Sequence, residues 1–103
     1  MAFRQKHKYN AIPVVHDGIR FDSKKEGRFY EKLKLLTKAG EVVFFLRQVP
    51  FHLPGGVVYR VDFQVFYSDG TVAFIDVKGM ETATFKMKKK MVESLYPIKI
   101  ELV

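Results

Sequence analysis

"VVYRVDFQVFYSDGTVAFIDVKG", residues 57–79, decides how this chain folds. Two runs of alternating residues flank Ser68-Asp69-Gly70. The loop length sets which side chains share a face, because a one-residue slip in an antiparallel pair turns every side chain over. A two-residue Asp69-Gly70 loop pairs Asp62 with Val77 and mixes polar with apolar positions. A three-residue loop, with Gly70 in the left-handed conformation of a bulge, puts Val57, Tyr59, Val61, Phe63 and Val65 on one face with Ala73, Ile75 and Val77. Only this register sorts the apolar residues. It sets Asp62 against Asp76 and Arg60 against Lys78 on the opposite face, with Gln64 and Phe66 continuing the row.

Outward from this hairpin, "EVVFFLRQVPFHL" (41–53) reads as a preceding strand that Pro50 bends or ends, and "PGG" as a turn. "FDSKKEGRFYEKLKLLTKAG" (21–40) carries a helix's punctuation: Asp22 or Ser23 as N-cap, Glu26 three residues after Ser23, and Gly40 as the stop. The helix spans Ser23 to Ala39. Its apolar stripe is Phe29, Leu33 and Leu36 with Tyr30 alongside, and three residues back from Phe29 lies Glu26, which therefore points coreward. Upstream, "VVHDGIRF" fits a short hairpin around Asp17-Gly18.

Downstream, "ETATFKMKKKMVESLY" (81–96) reads as a second helix with Phe85, Val92 and Leu95 apolar and Met87 and Met91 adding to its buried side. "PIKIELV" (97–103) ends the chain as a strand turning Ile98, Ile100 and Leu102 inward. The predicted class is α/β (α+β), in the order helix, three strands, helix, strand, with a central mixed sheet flanked by helices. One domain over residues 1–103 is expected, its first eleven residues a flexible basic arm.

Composition bounds the function. The chain has 103 residues, 48% hydrophobic and 15% aromatic, enough for one packed core. It has no cysteine, which excludes disulfides, thiolate metal sites and cysteine nucleophiles and favours a reducing, cytoplasmic setting. No run of apolar residues is long enough to span a bilayer, so no membrane partner is expected. Eighteen Lys and Arg against eleven Asp and Glu give a net charge of +7, which suits a polyanion such as nucleic acid. The three histidines lack metal-ligand spacing, and no phosphate-binding glycine loop appears.

Two carboxylates directly across a ladder repel, so the Asp62–Asp76 pairing calls for an explanation. A divalent cation removes the conflict: Mg²⁺ takes one or two protein carboxylates, fills its shell with water and phosphate oxygens, and makes bound water more acidic. Lys78, on the same face as Asp76, is placed to position that water or offset developing charge. On this reading, replacing Asp62 or Asp76 by Asn abolishes the chemistry and leaves the fold intact or steadier.

An acid on the first helix (Glu26), an acid on the second long strand (Asp62), and acid-x-Lys on the third (Asp76, Lys78) resemble the PD-(D/E)XK nuclease superfamily, with its restriction-endonuclease-like core. Within that superfamily, "DGIRFDSKKEGRFYEKLKLL", "RQVPF" and "IDVKG" are similar to phage Holliday junction resolvases and relatives of archaeal resolvases. Two residues depart from the pattern: Val61 stands where Pro precedes the first acid, and Asp76 where the archaeal enzymes usually have Glu.

The resemblance implies Glu26, Asp62 and Asp76 as metal-site acids, the carbonyl of Val77 as a further ligand, Lys78 as the catalytic lysine, and Gln48 as a polar residue meeting the site. It implies Mg²⁺, with Mn²⁺ as substitute, and no small-molecule cofactor. The implied activity is resolution of four-way DNA junctions by paired nicks from a homodimer, in the host cytoplasm if the chain is phage-encoded. DNA contacts are expected from Arg4, Lys6 and Lys8 in the arm, from Ser23, Lys24, Lys25 and Arg60 near the site, and from Lys86, Lys88, Lys89 and Lys90. Ser23 is first of all a cap. The alternatives are another nuclease of the superfamily, nicking or flap-directed, and a non-catalytic basic nucleic-acid-binding module. "VVFFL" (42–46) is either dimer interface or buried strand.

Overall fold

The computed structural model describes residues 12–78 and 80–103. Its elements are β1 (Val14–His16), β2 (Ile19–Phe21), α1 (Lys24–Lys38), β3 (Val42–Leu53), a 3₁₀ turn (Pro54–Gly56), β4 (Val57–Tyr67), β5 (Val72–Asp76), α2 (Ala83–Leu95) and β6 (Ile100–Leu102). This is the predicted order, preceded by the predicted hairpin. The turn between β4 and β5 is the three-residue one: Tyr67 N–H donates to Thr71 O at 2.9 Å, and Gly70 has φ 91°. Phe63 faces Ile75 and Val65 faces Ala73, as the apolar sorting demands.

Strands β3, β4, β5 and β6 form one sheet in that order, antiparallel except for β6, which runs parallel to β5 with Ile100 beside Phe74. It is a mixed sheet flanked by two helices, compatible with a restriction-endonuclease-like fold. Ser23 caps α1, its Oγ accepting the Glu26 N–H at 3.1 Å, and Thr82 caps α2 by accepting from Phe85. Among the described residues, no helix is long and apolar enough to cross a membrane.

The β1–β2 hairpin turns at Asp17 (φ 53°) and Gly18 (φ 76°) and lies on α1 at Gly27. A Cβ on Gly27 would stand 2.6 Å from the His16 ring and 2.7 Å from a Val14 methyl, so only glycine admits this approach. The hairpin is tied down by Tyr30 Oη donating to Asp17, by Lys34 on Asp17, and by His16 Nδ1 against Glu31 at 2.9 Å.

The core has two parts. Phe21, Tyr30, Leu33, Val42, Phe63, Val65, Ile75 and Val77 pack with α1 and the hairpin, whereas Leu53, Tyr59, Val61, Phe85, Val92 and Ile100 pack around α2. Val61 and Phe63 share a pleat yet enter different cores, as do Phe51 and Phe45 on the partner strand. The crossover falls at Gln48, whose φ of 53° is left-handed, and at Asp62, which interrupts the ladder opposite it. Strict alternation, expected through all of β4, therefore changes sides once.

Other expectations need correction. Pro50 does not end β3, which runs through it with Pro50 opposite Arg60. β3 is an edge strand, where the missing N–H costs no ladder bond. Met87 (57% exposed) and Leu95 (55%) lie outside the core: Met87 sits two residues from Phe85, on the far side of the helix, and Leu95 is the last helical residue. Leu102 is 37% exposed at the sheet edge. "VVFFL" divides, with Val42 buried, Phe45 packed against the core, and Val43, Phe44 and Leu46 exposed.

Candidate active site

The pairing of β4 with β5 stops at Phe63–Ile75, so Asp62 and Asp76 do not stand side by side as a ladder pair, and Arg60 does not meet Lys78. The strands separate, and the two carboxylates take over hydrogen bonds that the ladder would have made. Asp62 N–H donates to Asp76 Oδ1 at 2.8 Å, and Val77 N–H donates to Asp62 Oδ2 at 2.9 Å. This relieves the repulsion inferred from the sequence by giving each carboxylate a main-chain donor. Asp76 is fully buried, and its second oxygen accepts from the hydroxyl of Tyr59.

Asp62 is half-buried, and its other oxygen faces Gln48 Nε2 at 3.3 Å. Burial pushes its carboxyl up to about 6; the Val77 N–H, Lys78 and Gln48 oppose this rise, and the charge of Asp76 adds to it. Glu26 is buried in α1 at 6% exposure. Burial, then the charges of Asp62 and Asp22, push it up to about 7 against the pull of Arg47. Burial and the bond to Asp76 raise Tyr59 far above the usual phenol range, so it stays a donor. Lys78 Nζ stands over the Phe85 ring, 4.6 Å from its centroid.

Glu26, Asp62, Gln48 and Lys78 thus belong to one electrostatic neighbourhood at the splayed end of β4 and β5, with Asp76 beneath it. Among the described residues, no three acidic or histidine side chains are arranged as a metal-holding group. The donor set nevertheless suits a hard cation: burial and a neighbouring carboxylate raise both Glu26 and Asp62, and among the described residues Asp62 keeps an oxygen with only a long amide contact. Asp76 does not fit as placed, since both its oxygens are engaged by protein donors.

Of the expected DNA contacts, Arg4, Lys6 and Lys8 lie outside the described residues. Lys24, Lys25, Arg60, Lys86 and Lys90 are exposed, and Ser23 caps α1. Lys88 is half-buried, and Lys89 is paired with Glu93 at 3.4 Å, whose carboxylate also accepts from Ile100 N–H. Lys89 is therefore part of the fold's own bonding.

Sequence reasoning missed three residues. Tyr59 holds Asp76, and a hydroxyl in an apolar strand three residues before an acid was the available signal. Phe85 supports Lys78. Arg47 stacks on Phe21, 4.5 Å from the ring centroid, with a buried Nε that has no hydrogen-bond partner among the described residues.

The fold and site define a small mixed α+β domain with a carboxylate–lysine centre where two sheet strands part. Residues 6–102 match the family model described as a protein of unknown function, DUF1064, and the chain belongs to that family. Comparison with curated proteins gives no match.

Proposed function

We propose that this protein is a metal-dependent DNA endonuclease of the PD-(D/E)XK kind, cutting four-way junctions by paired nicks as a homodimer in the cytoplasm. The carrying observation is that Asp62 on β4 lies within electrostatic reach of both Glu26 on α1 and Lys78, two residues past the end of β5, where β4 and β5 separate. A bound Mg²⁺, for which Mn²⁺ would substitute, supplies Lewis-acid polarisation of the phosphodiester and a more acidic water. Asp62 and Glu26 would hold it, with the Val77 carbonyl as a further oxygen.

Asp76 holds the main chain of Asp62 and so fixes where the Asp62 carboxylate stands. The Lys78 ammonium, steadied over Phe85, offsets negative charge as water adds to phosphorus and an oxygen–phosphorus bond breaks, leaving a hydroxyl and a phosphate monoester. Gln48 orients Asp62. The exposed Lys24, Lys25, Arg60, Lys86 and Lys90 would supply cationic contacts to the DNA, and arm residues Arg4, Lys6 and Lys8 would add to them. Two nicks in a twofold junction call for a twofold enzyme. The outward row of Phe44, Leu46, Phe66 and Val72, with Phe44 stacked on Phe66 at 4.3 Å, offers apolar surface for that contact.

The test offers the protein a four-way junction, a flap, linear duplex and single strand with Mg²⁺, then with chelator, alongside Asp62→Asn. Cleavage confined to the flap moves the reading to another nuclease of the superfamily. The full engagement of Asp76 favours a second reading, a non-catalytic nucleic-acid-binding module, which predicts binding with no cleavage under any metal.

A further inference from the structure

Helix α1 divides its charges between two sides. On one side, Glu31 and Lys34 are bound to His16 and Asp17 of the hairpin. On the other, Lys25, Arg28 and Lys32 follow one another at three- and four-residue steps, and none is in an ion pair among the described residues. These three cations line an open groove of about 380 Å³ whose lining, among the described residues, is completed by Phe29, Val77 and Val103, with no acidic side chain.

The groove begins at the candidate site. Val77 directly follows Asp76, and Lys25 Nζ donates to the Lys78 carbonyl at 3.2 Å. From Lys25 to Lys32 the helix rises about 10 Å, the axial length of about three phosphates of one strand. Arg28, at the middle, presents a fork of donors that suits a phosphodiester's paired oxygens. Phe29 gives the floor an apolar surface that a sugar can cover.

We propose that this groove carries the phosphodiester backbone of one nucleic-acid strand on its way from the candidate site, with Arg28 and Lys32 as its phosphate contacts. The inference rests on the nucleic-acid reading of that site and adds the path of the strand. It binds any sequence, because every contact is to backbone.

The test is anisotropy of a labelled four-way junction in chelator, so that nothing is cut, over a series of salt concentrations. For Arg28→Ala/Lys32→Ala, the dependence of log affinity on log salt should flatten by about 1.8, about 0.9 for each lost phosphate contact, with affinity several-fold weaker. Exposed Lys38 and Lys99 lie outside the groove, and Lys38→Ala/Lys99→Ala removes the same charge, so its slope should match wild type. Arg28→Lys/Lys32→Arg, which keeps both charges, should retain most of the affinity. A wild-type slope in Arg28→Ala/Lys32→Ala overturns the groove and leaves the nuclease reading standing. If that variant loses binding to poly-glutamate but not to DNA, the groove serves an acidic protein and the proposal fails. Absence of DNA binding by the wild type overturns both.

Discussion

The main-chain N–H of Asp62 donates to the carboxylate of Asp76, while the carboxylate of Asp62 accepts the N–H of Val77, one residue past Asp76. Each acid thus holds the backbone beside the other, and the pair works as a clasp across two strands that have stopped pairing. The apparent conflict of opposed carboxylates is met first by hydrogen bonding and only afterwards by whatever cation the site takes.

This clasp changes what mutation of Asp76 should do. Asp76→Ala leaves two buried donors, Asp62 N–H and Tyr59 Oη, without an acceptor, at about 1–3 kcal/mol each. Asp76→Asn keeps one acceptor and turns an amide donor toward the other partner, so it should cost less than Asp76→Ala yet still destabilise. Urea midpoints of the three proteins check the order; an Asn variant steadier than wild type would restore the simple repulsion picture.

Lys78→Ala should slow single-turnover cleavage by on the order of a hundredfold, the usual loss for acid–base or electrostatic help. Phe85→Leu keeps the core filled but removes the ring beneath the ammonium, and should slow cleavage by a smaller factor. Equal rates for wild type and Lys78→Ala would return the lysine to a purely structural role.

Glu26 and Asp62 give the metal-free protein a defined response to pH. Their folded carboxyls, at about 7 and about 6, lie above the usual values of 4.5 and 3.8, so the folded state holds protons that the unfolded chain has released. Their contribution is fully present below the unfolded values and is lost as pH rises through the folded ones. Relative to Glu26→Gln, the wild-type melting temperature should therefore fall between pH 4.5 and 7.5. Millimolar Mg²⁺ should reverse part of that fall at pH 7.5 in wild type and not in Asp62→Asn.

How far the sequence could be read follows from which signals are local. The Ser68-Asp69-Gly70 loop, the Ser23 cap and the apolar alternation around Phe63 lie within a few residues of the structure they specify, so register, helix start and the location of the carboxylates were legible. The change of sides at Gln48 was not, because left-handed backbone at a residue other than glycine leaves no compositional mark. The clasp was hidden for the same reason: it depends on where pairing stops, which the alternation of Val61 and Phe63 does not record. Tyr59, placed by parity beside Phe63, instead turned toward α2 and reached Asp76.

The outward row on the sheet carries its own test. Phe44, 46% exposed, and Leu46, 45% exposed, should become buried if two copies meet there. Phe44→Glu/Leu46→Glu should then sediment as monomer where wild type sediments as dimer. Loss of junction cleavage with retained binding would mark the second subunit's role.

Two half-cores joined through one interrupted stretch of sheet also imply uneven cooperativity. Amides beneath α1 and amides beneath α2 should exchange with solvent as two units of different opening free energy, with the boundary at Gln48 and Asp62. The carboxylates then stand on a seam and inherit the fluctuations of both sides. Val92→Ala, deep in the α2 half and remote in sequence from every acid of the site, should accordingly speed exchange at Asp62 while leaving amides around Leu33 slow.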